Sequence, residues 1–243
     1  SNLIKNENNR KTLIKIIDEG GILVSEILKQ FSVDQMNNSR YFISLLFYLG
    51  LLTVKERRST RLFLQIPNYS IRTLYWEYLA IMIQESSSEI HIDAESLDEA
   101  IDAMAMEGDL NRFISYISEN AFSKLSDRDL QHFDEKYIKI LLLAYLFMDK
   151  KYVSMSEYET VPGYADIFLQ RNPIYPDARY EWILELKYCK VSDSEAEIDA
   201  KRKEALTQIN KYIHAYRIKD RPGLKAAVII FTGKDKFEIT EVL

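Results

Sequence analysis

Three residues of this sequence have the types and spacing to do chemistry on a charged substrate: Asp166, Glu185 and Lys187. Asp166 lies in Gly163-Tyr164-Ala165-Asp166-Ile167-Phe168-Leu169, and the other two lie in Trp182-Ile183-Leu184-Glu185-Leu186-Lys187. Both segments read as short strands. A strand turns successive side chains to opposite faces, so Glu185 and Lys187 share one face, and Asp166 joins them if the strands are neighbours. Two carboxylates and an ammonium gathered together are costly unless something stabilises them, and a divalent cation does so. A cation held by two carboxylates beside a lysine suits attack on a phosphodiester. The alternative is an exposed ion pair on a solvated face, which contributes little. The apolar neighbours Ile183, Leu184 and Leu186 point to a strand covered on both faces, where charges require a partner.

The elements that must position these residues can be read around them. Residues 135–148 are apolar nearly all round, as in a buried helix. Strand-like runs follow at 152–158, 164–170 and 180–188. An amphipathic helix spans about 194–216, with Ile198, Leu206, Ile209, Ile213 and Tyr216 toward the core, and two closing strands fit 225–231 and 237–242. The first three strands can form an antiparallel meander, and the long helix supplies a crossover to the fourth.

Upstream, residues 10–18 read as a helix ended by Gly20-Gly21, residues 25–31 as a short second helix and residues 39–48 as a third. Two extended runs at 51–55 and 61–66 form a hairpin, and a helix follows Pro67-Asn68 to about Gln84. Three helices and a hairpin give a winged-helix outline. The third helix carries Tyr41, Phe42, Ile43, Leu45, Leu46, Phe47 and Tyr48, which leaves little polar surface to read base edges. Only Arg40, Arg57, Arg58 and Arg61 could meet phosphate there. The expected organisation is therefore a winged-helix-like module at 1–85, an acidic helical connector at 86–134 and an α/β domain at 135–243. In the connector, the stripes Leu97/Ala100/Ile101/Met104 and Leu110/Phe113/Ile114/Ile117 suggest two short solvated helices without chemistry.

Charge and composition set limits. Lys, Arg, Asp and Glu sum to +3 over residues 1–85, −9 over 86–134 and +1 over 135–243, within a net charge of −5. Residues 201–225 hold eight bases and two acids. Lys201, Arg202, Lys203, Lys211 and Arg217 of that run could attract nucleic acid, or could form a solvated helix face. No apolar run reaches membrane-span length. Cys189 is the sole cysteine, which precludes an internal disulfide and fits a reducing, cytoplasmic setting, with Cys189 itself a small buried residue. His91, His132 and His214 show no metal spacing. The opening Ser1-Asn2, without an initiator Met, reads as a remnant of tag cleavage, so the expectation is a fragment whose native protein continues upstream.

The order helix, three strands, helix, strand, strand, with Asp on the second strand and Glu-x-Lys on the third, resembles the core of the PD-(D/E)XK nuclease superfamily, most closely the branch found C-terminal to AAA-ATPase-like domains. Phe47-Tyr48-Leu49-Gly50-Leu51-Leu52-Thr53-Val54 and Ile66-Pro67-Asn68 look like the tail of that ATPase-like region. Ala205-Leu206, Gln208-Ile209 and Tyr212 look like the branch's post-catalytic helix, and residues 228–231 like its closing strand. The resemblance implies a restriction-endonuclease-like α/β (α+β) core, a mixed sheet flanked by helices. It implies Asp166 and Glu185 as ligands of Mg2+ (or Mn2+), the Leu186 carbonyl as a further oxygen ligand, and Lys187 orienting or helping to deprotonate the attacking water. Glu135 would hold a second ion or its water, Gln208 would face the site, and Tyr212 would support that edge. Glu157 and Glu159 compete with Glu135 less well. The implied activity is metal-dependent hydrolysis of nucleic acid, DNA before RNA, in a chain whose upstream ATPase-like domain delivers or regulates it. The alternative is an inactive nuclease-fold module that binds nucleic acid or protein. Ala165 stands where the superfamily's name has proline, and Tyr164 where the branch often has arginine. No intact phosphate-binding glycine loop is present, so no ATP hydrolysis is expected from this chain alone.

Overall fold

The computed structural model describes residues 6–30, 32, 35, 38–86, 93–125, 134–161, 163–215, 218–234 and 236–243. The chain divides into two compact units, Ser1–Leu79 and Ala80–Leu243.

In the first unit, helix α1 (Glu7–Asp18) is capped by Asn6, whose side chain accepts from the N–H groups of Asn8 and Asn9. Gly20, at φ 65°, turns the chain into strand β1 (Gly21–Val24). Helix α2 (Ser39–Tyr48) and strands β2 (Thr53–Arg58) and β3 (Arg61–Gln65) follow, and helix α3 (Tyr69–Ser86) begins in this unit, which ends at Leu79. The strands form a three-stranded sheet in the order β1-β3-β2. Two expectations change here. Residues 25–30 are not helical (Phe31 lies outside the described residues): the β-branched Ile22 and Val24 pair with β3 instead, and Leu28 N–H donates to Ser44 Oγ at 3.0 Å. The hairpin turn also shrinks to Ser59-Thr60, because β2 runs on to Arg58, whose guanidinium lies 4.6 Å from the Phe63 ring centroid.

The second unit opens with helices α4 (Ala94–Asp102) and α5 (Leu110–Asn120), joined by a π-helical turn at Ala103–Glu107. Their stripes are buried rather than solvated: Leu97, Ala100, Ile101 and Met104 on one, Leu110, Phe113, Ile114 and Ile117 on the other. Helix α6 (Glu135–Leu146), capped by Asp134, leads into a five-stranded sheet. Its order is β4 (Tyr152–Thr160), β5 (Gly163–Arg171), β6 (Glu181–Cys189), β7 (Leu224–Thr232), β8 (Lys236–Glu241). Pairing is antiparallel throughout except between β6 and β7. Helix α7 (Glu195–Ile213) makes the β6-to-β7 crossover and starts with a capping box between Ser194 and Glu197.

Alternate residues of β6 explain its double burial. Ile183 and Cys189 pack with Ala205, Ile209, Tyr212 and Ile213 of α7 and with Ala226, Val228 and Ile230 of β7. On the opposite alternation, Trp182 Nε1 donates to the Met104 carbonyl at 3.1 Å. The N–H groups of Arg179 and Tyr180 both donate to the Ala105 carbonyl. The two acidic-stretch helices are thus part of the core that holds β6 in place. No described helix is long and apolar enough to cross a membrane.

Candidate active site

The β5–β6 ladder is short. It pairs Ile167 with Leu184, Phe168 with Ile183 and Leu169 with Trp182, and then stops. On its other side β6 stays paired with β7 as far as Cys189↔Thr232. The two strands therefore fork just beyond Leu184, and the candidate residues line the fork. A strand that loses its neighbour is left with N–H and C=O groups that need partners. Asp166 supplies one, since its Oδ2 accepts the Leu186 N–H at 2.9 Å. Asp166 is thereby fixed to β6 at the residue between Glu185 and Lys187.

Glu185 is 3% exposed. Its Oε1 accepts from Lys187 Nζ at 3.3 Å, whereas Oε2 is buried without a hydrogen-bond partner. Burial, reinforced by the nearby Asp166 charge and only partly offset by Lys187, pushes the Glu185 carboxyl up to about 8. Burial works against the Lys187 ammonium, but Glu135, Glu185 and Asp166 outweigh it and hold its pKa above the ordinary lysine value.

Helix α6 brings two more groups to the fork. Glu135 Oε1 lies 3.7 Å from Lys187 Nζ. Burial raises the Glu135 pKa, and Lys187 opposes the shift. One turn later, Lys139 Nζ lies 3.7 Å from Asp166 Oδ1, with only a tenth of its side chain exposed. The structure thus brings together Asp166, Glu185, Lys187 and Glu135, and adds Lys139. The sequence reading missed Lys139, although one signal was present: it stands four residues after Glu135, on the same side of a helix that is otherwise almost wholly apolar.

The remaining candidates are placed differently. Gln208 is half-buried on α7 and its Oε1 makes no hydrogen bond. Tyr212, one turn on, lies against Gly163 so closely that a Cβ there would be 3.0 Å from its ring. Glu159 is exposed, and the Glu157 side chain lies outside the described residues. Lys201 donates to the Tyr188 carbonyl at 2.8 Å and pairs with Asp193 at 3.0 Å. Arg202 pairs with Asp199 and, at 2.6 Å, with Glu238. Lys203 and Lys211 are exposed, and Arg217 lies outside the described residues. Arg221 and Lys225 are also engaged, with Glu181 and Glu241. Much of the basic run therefore closes internal pairs. His214 is exposed; His91, His132 and Tyr216 lie outside the described residues.

Chemically, the fork offers two carboxylates from different strands, one with an unsatisfied buried oxygen, beside two ammonium groups. Among the described residues, no group of three or more His, Cys, Asp and Glu side chains could hold a metal ion. Such a donor set suits a cation that keeps much of its water shell rather than a closed protein cage.

A comparison with curated proteins returned no match. The model of the PD-(D/E)XK nuclease superfamily matches residues 133–241, which contain α6, the whole five-stranded sheet, α7 and every residue of the fork. Residues 133–241, with their mixed sheet, helical crossover and acidic fork, are thus the part of this chain that matches the PD-(D/E)XK nuclease superfamily.

Proposed function

We propose that this chain carries a divalent-cation-dependent nuclease site in which Asp166 and Glu185 hold Mg2+ (or Mn2+) and Lys187 attends the scissile phosphate of a nucleic acid, DNA foremost. The observation that supports this most is Glu185 Oε2. A buried carboxylate oxygen without a partner is expensive, and a cation shared with Asp166 removes that cost. The Leu186 carbonyl is a third donor. Within one strand residue N–H and C=O point to the same edge, and the Leu186 N–H already meets Asp166 on the edge where the ladder has ended. Two carboxylates and a carbonyl leave room for water and phosphate oxygens, as Mg2+ prefers. Bound there, the cation would supply Lewis acidity toward the phosphate and a water of lowered pKa.

The chain's own residues do the rest. Lys187 stays protonated because three carboxylates surround it, so its part is to orient the nucleophile and offset charge growing on phosphate rather than to remove a proton. Glu135 and Glu185 both hold the Lys187 ammonium. Gln208, one turn from the Tyr212 packed on Gly163, has a buried amide oxygen that can accept from water at this edge. The exposed Lys203 and Lys211 contribute non-specific attraction to phosphate. Residues 1–85 are read as the winged-helix-like tail of an ATPase-like region of the native protein, on the strength of helix α2 and the β2–β3 hairpin, and the setting as cytoplasmic.

The test is a cleavage assay with Mg2+ and with Mn2+ on linear, nicked and single-stranded DNA and on RNA. Cleavage that needs the cation and falls at least about a hundredfold in Asp166→Ala and Lys187→Ala is expected. Binding without turnover in the wild type would establish the inactive, binding-only alternative.

A further inference from the structure

The fork contains a cation of its own. Lys139 reaches it from the middle of α6, the helix that also carries Glu135, and its Nζ faces Asp166 Oδ1 at 3.7 Å while Oδ2 is held by Leu186 N–H. Both oxygens of Asp166 are therefore engaged, one by a fixed backbone group and one by a side chain that can move. A lysine in a helix whose neighbours Ile138, Ile140, Leu141, Leu142 and Leu143 are all buried is a costly choice for packing alone. Its charge acts on Asp166 and Glu135, beside Lys187, which faces Glu135 and Glu185.

We infer that Lys139 is an exchangeable counter-ion for the metal position: it neutralises Asp166 until a divalent cation arrives, yields Oδ1 to it, and then turns its ammonium to a phosphate oxygen of the nucleic acid. The inference rests on the nuclease reading of the same fork. A positive charge beside an arriving cation repels it, most strongly where the site is partly buried. Lys139 therefore weakens cation binding while it strengthens contact with the polyanionic substrate. The helix keeps the exchange local, since the four-carbon stem lets the ammonium move without moving α6.

The experiment is calorimetric titration of the whole chain with Mn2+ for wild type, Lys139→Met, Lys139→Gln, Lys139→Arg and Asp166→Asn, alongside turnover at saturating Mn2+. Lys139→Met and Lys139→Gln are expected to bind Mn2+ about tenfold more tightly and to turn over at least about tenfold more slowly, while Lys139→Arg keeps wild-type affinity. Opposite movement of affinity and turnover is the signature, since damage to the fold lowers both. Unchanged or weaker Mn2+ affinity in both neutral variants, with binding still dependent on Asp166, would overturn the role of Lys139. Mn2+ binding that ignores Asp166→Asn would overturn the nuclease reading itself.

Discussion

At the residue scale, Glu185 carries most of the consequence. A carboxyl that titrates near 4.5 when exposed and near 8 in the fold keeps a proton that the unfolded chain releases between those values. Its stabilising contribution is complete below pH 4.5 and is lost as pH rises through about 8. Glu185→Gln removes this titration, so the fall in stability between pH 5 and pH 9 should flatten by on the order of 4 kcal/mol, read from urea unfolding at both pH values. A wild-type pH slope in that variant contradicts the burial argument. The same titration governs chemistry. Cation binding needs the carboxylate, so Mn2+ affinity of the wild type should climb with pH toward 8.

At the scale of elements, the fork depends on α7 being pressed onto β5. Gly163 permits this, because any side chain there meets the Tyr212 ring. Gly163→Ala should cost about 1–3 kcal/mol and lower turnover more than it lowers Mn2+ affinity, since Gln208 and Tyr212 shift while Asp166 and Glu185 stay on their strands. Equal stability and equal turnover would show that α7 does not position this edge. The core strands and α7 were legible in the sequence because each carries an unbroken apolar pattern of the right length between turn residues. Strand β1 was not: its four residues, Gly21 among them, are too few to set a period, and their pairing with β3 is decided at long range. Helix α6 reads as buried, but apolar residues on every side give it no phase of their own, so the facing of Lys139 is legible only through its spacing of four from Glu135. The point where the β5–β6 ladder stops is likewise a property of twist and packing rather than of composition.

For the whole molecule, the question is how an acidic chain meets a polyanion. Counting charges along residues 201–225 suggested a patch, but a count cannot say which bases face acids, and Lys201, Arg202, Arg221 and Lys225 do. Lys203 and Lys211 are exposed, and on the proposed reading they are the bases left for long-range attraction. The dependence of log K on log salt for a short DNA duplex should therefore be shallow, and the double variant Lys203→Ala, Lys211→Ala should reduce the slope by about 1–2, measured by fluorescence anisotropy. An unchanged slope would place the contact elsewhere. The same accounting explains the helices of the acidic stretch. Their carboxylates Asp98 and Asp102 bind Lys151 and their apolar stripes are buried, so the charge of Asp98 and Asp102 serves cohesion within the second unit.

Whether the β5–β6 fork is a cation site is decided by anomalous scattering from a Mn2+-soaked crystal. The expected result is a peak within ligand distance of both an Asp166 oxygen and Glu185 Oε2, with Lys187 beside it and Lys139 displaced from Asp166. A fork that takes up no Mn2+ at saturating concentration and pH 8, with the Glu185 oxygen satisfied by another group of the protein, would contradict it.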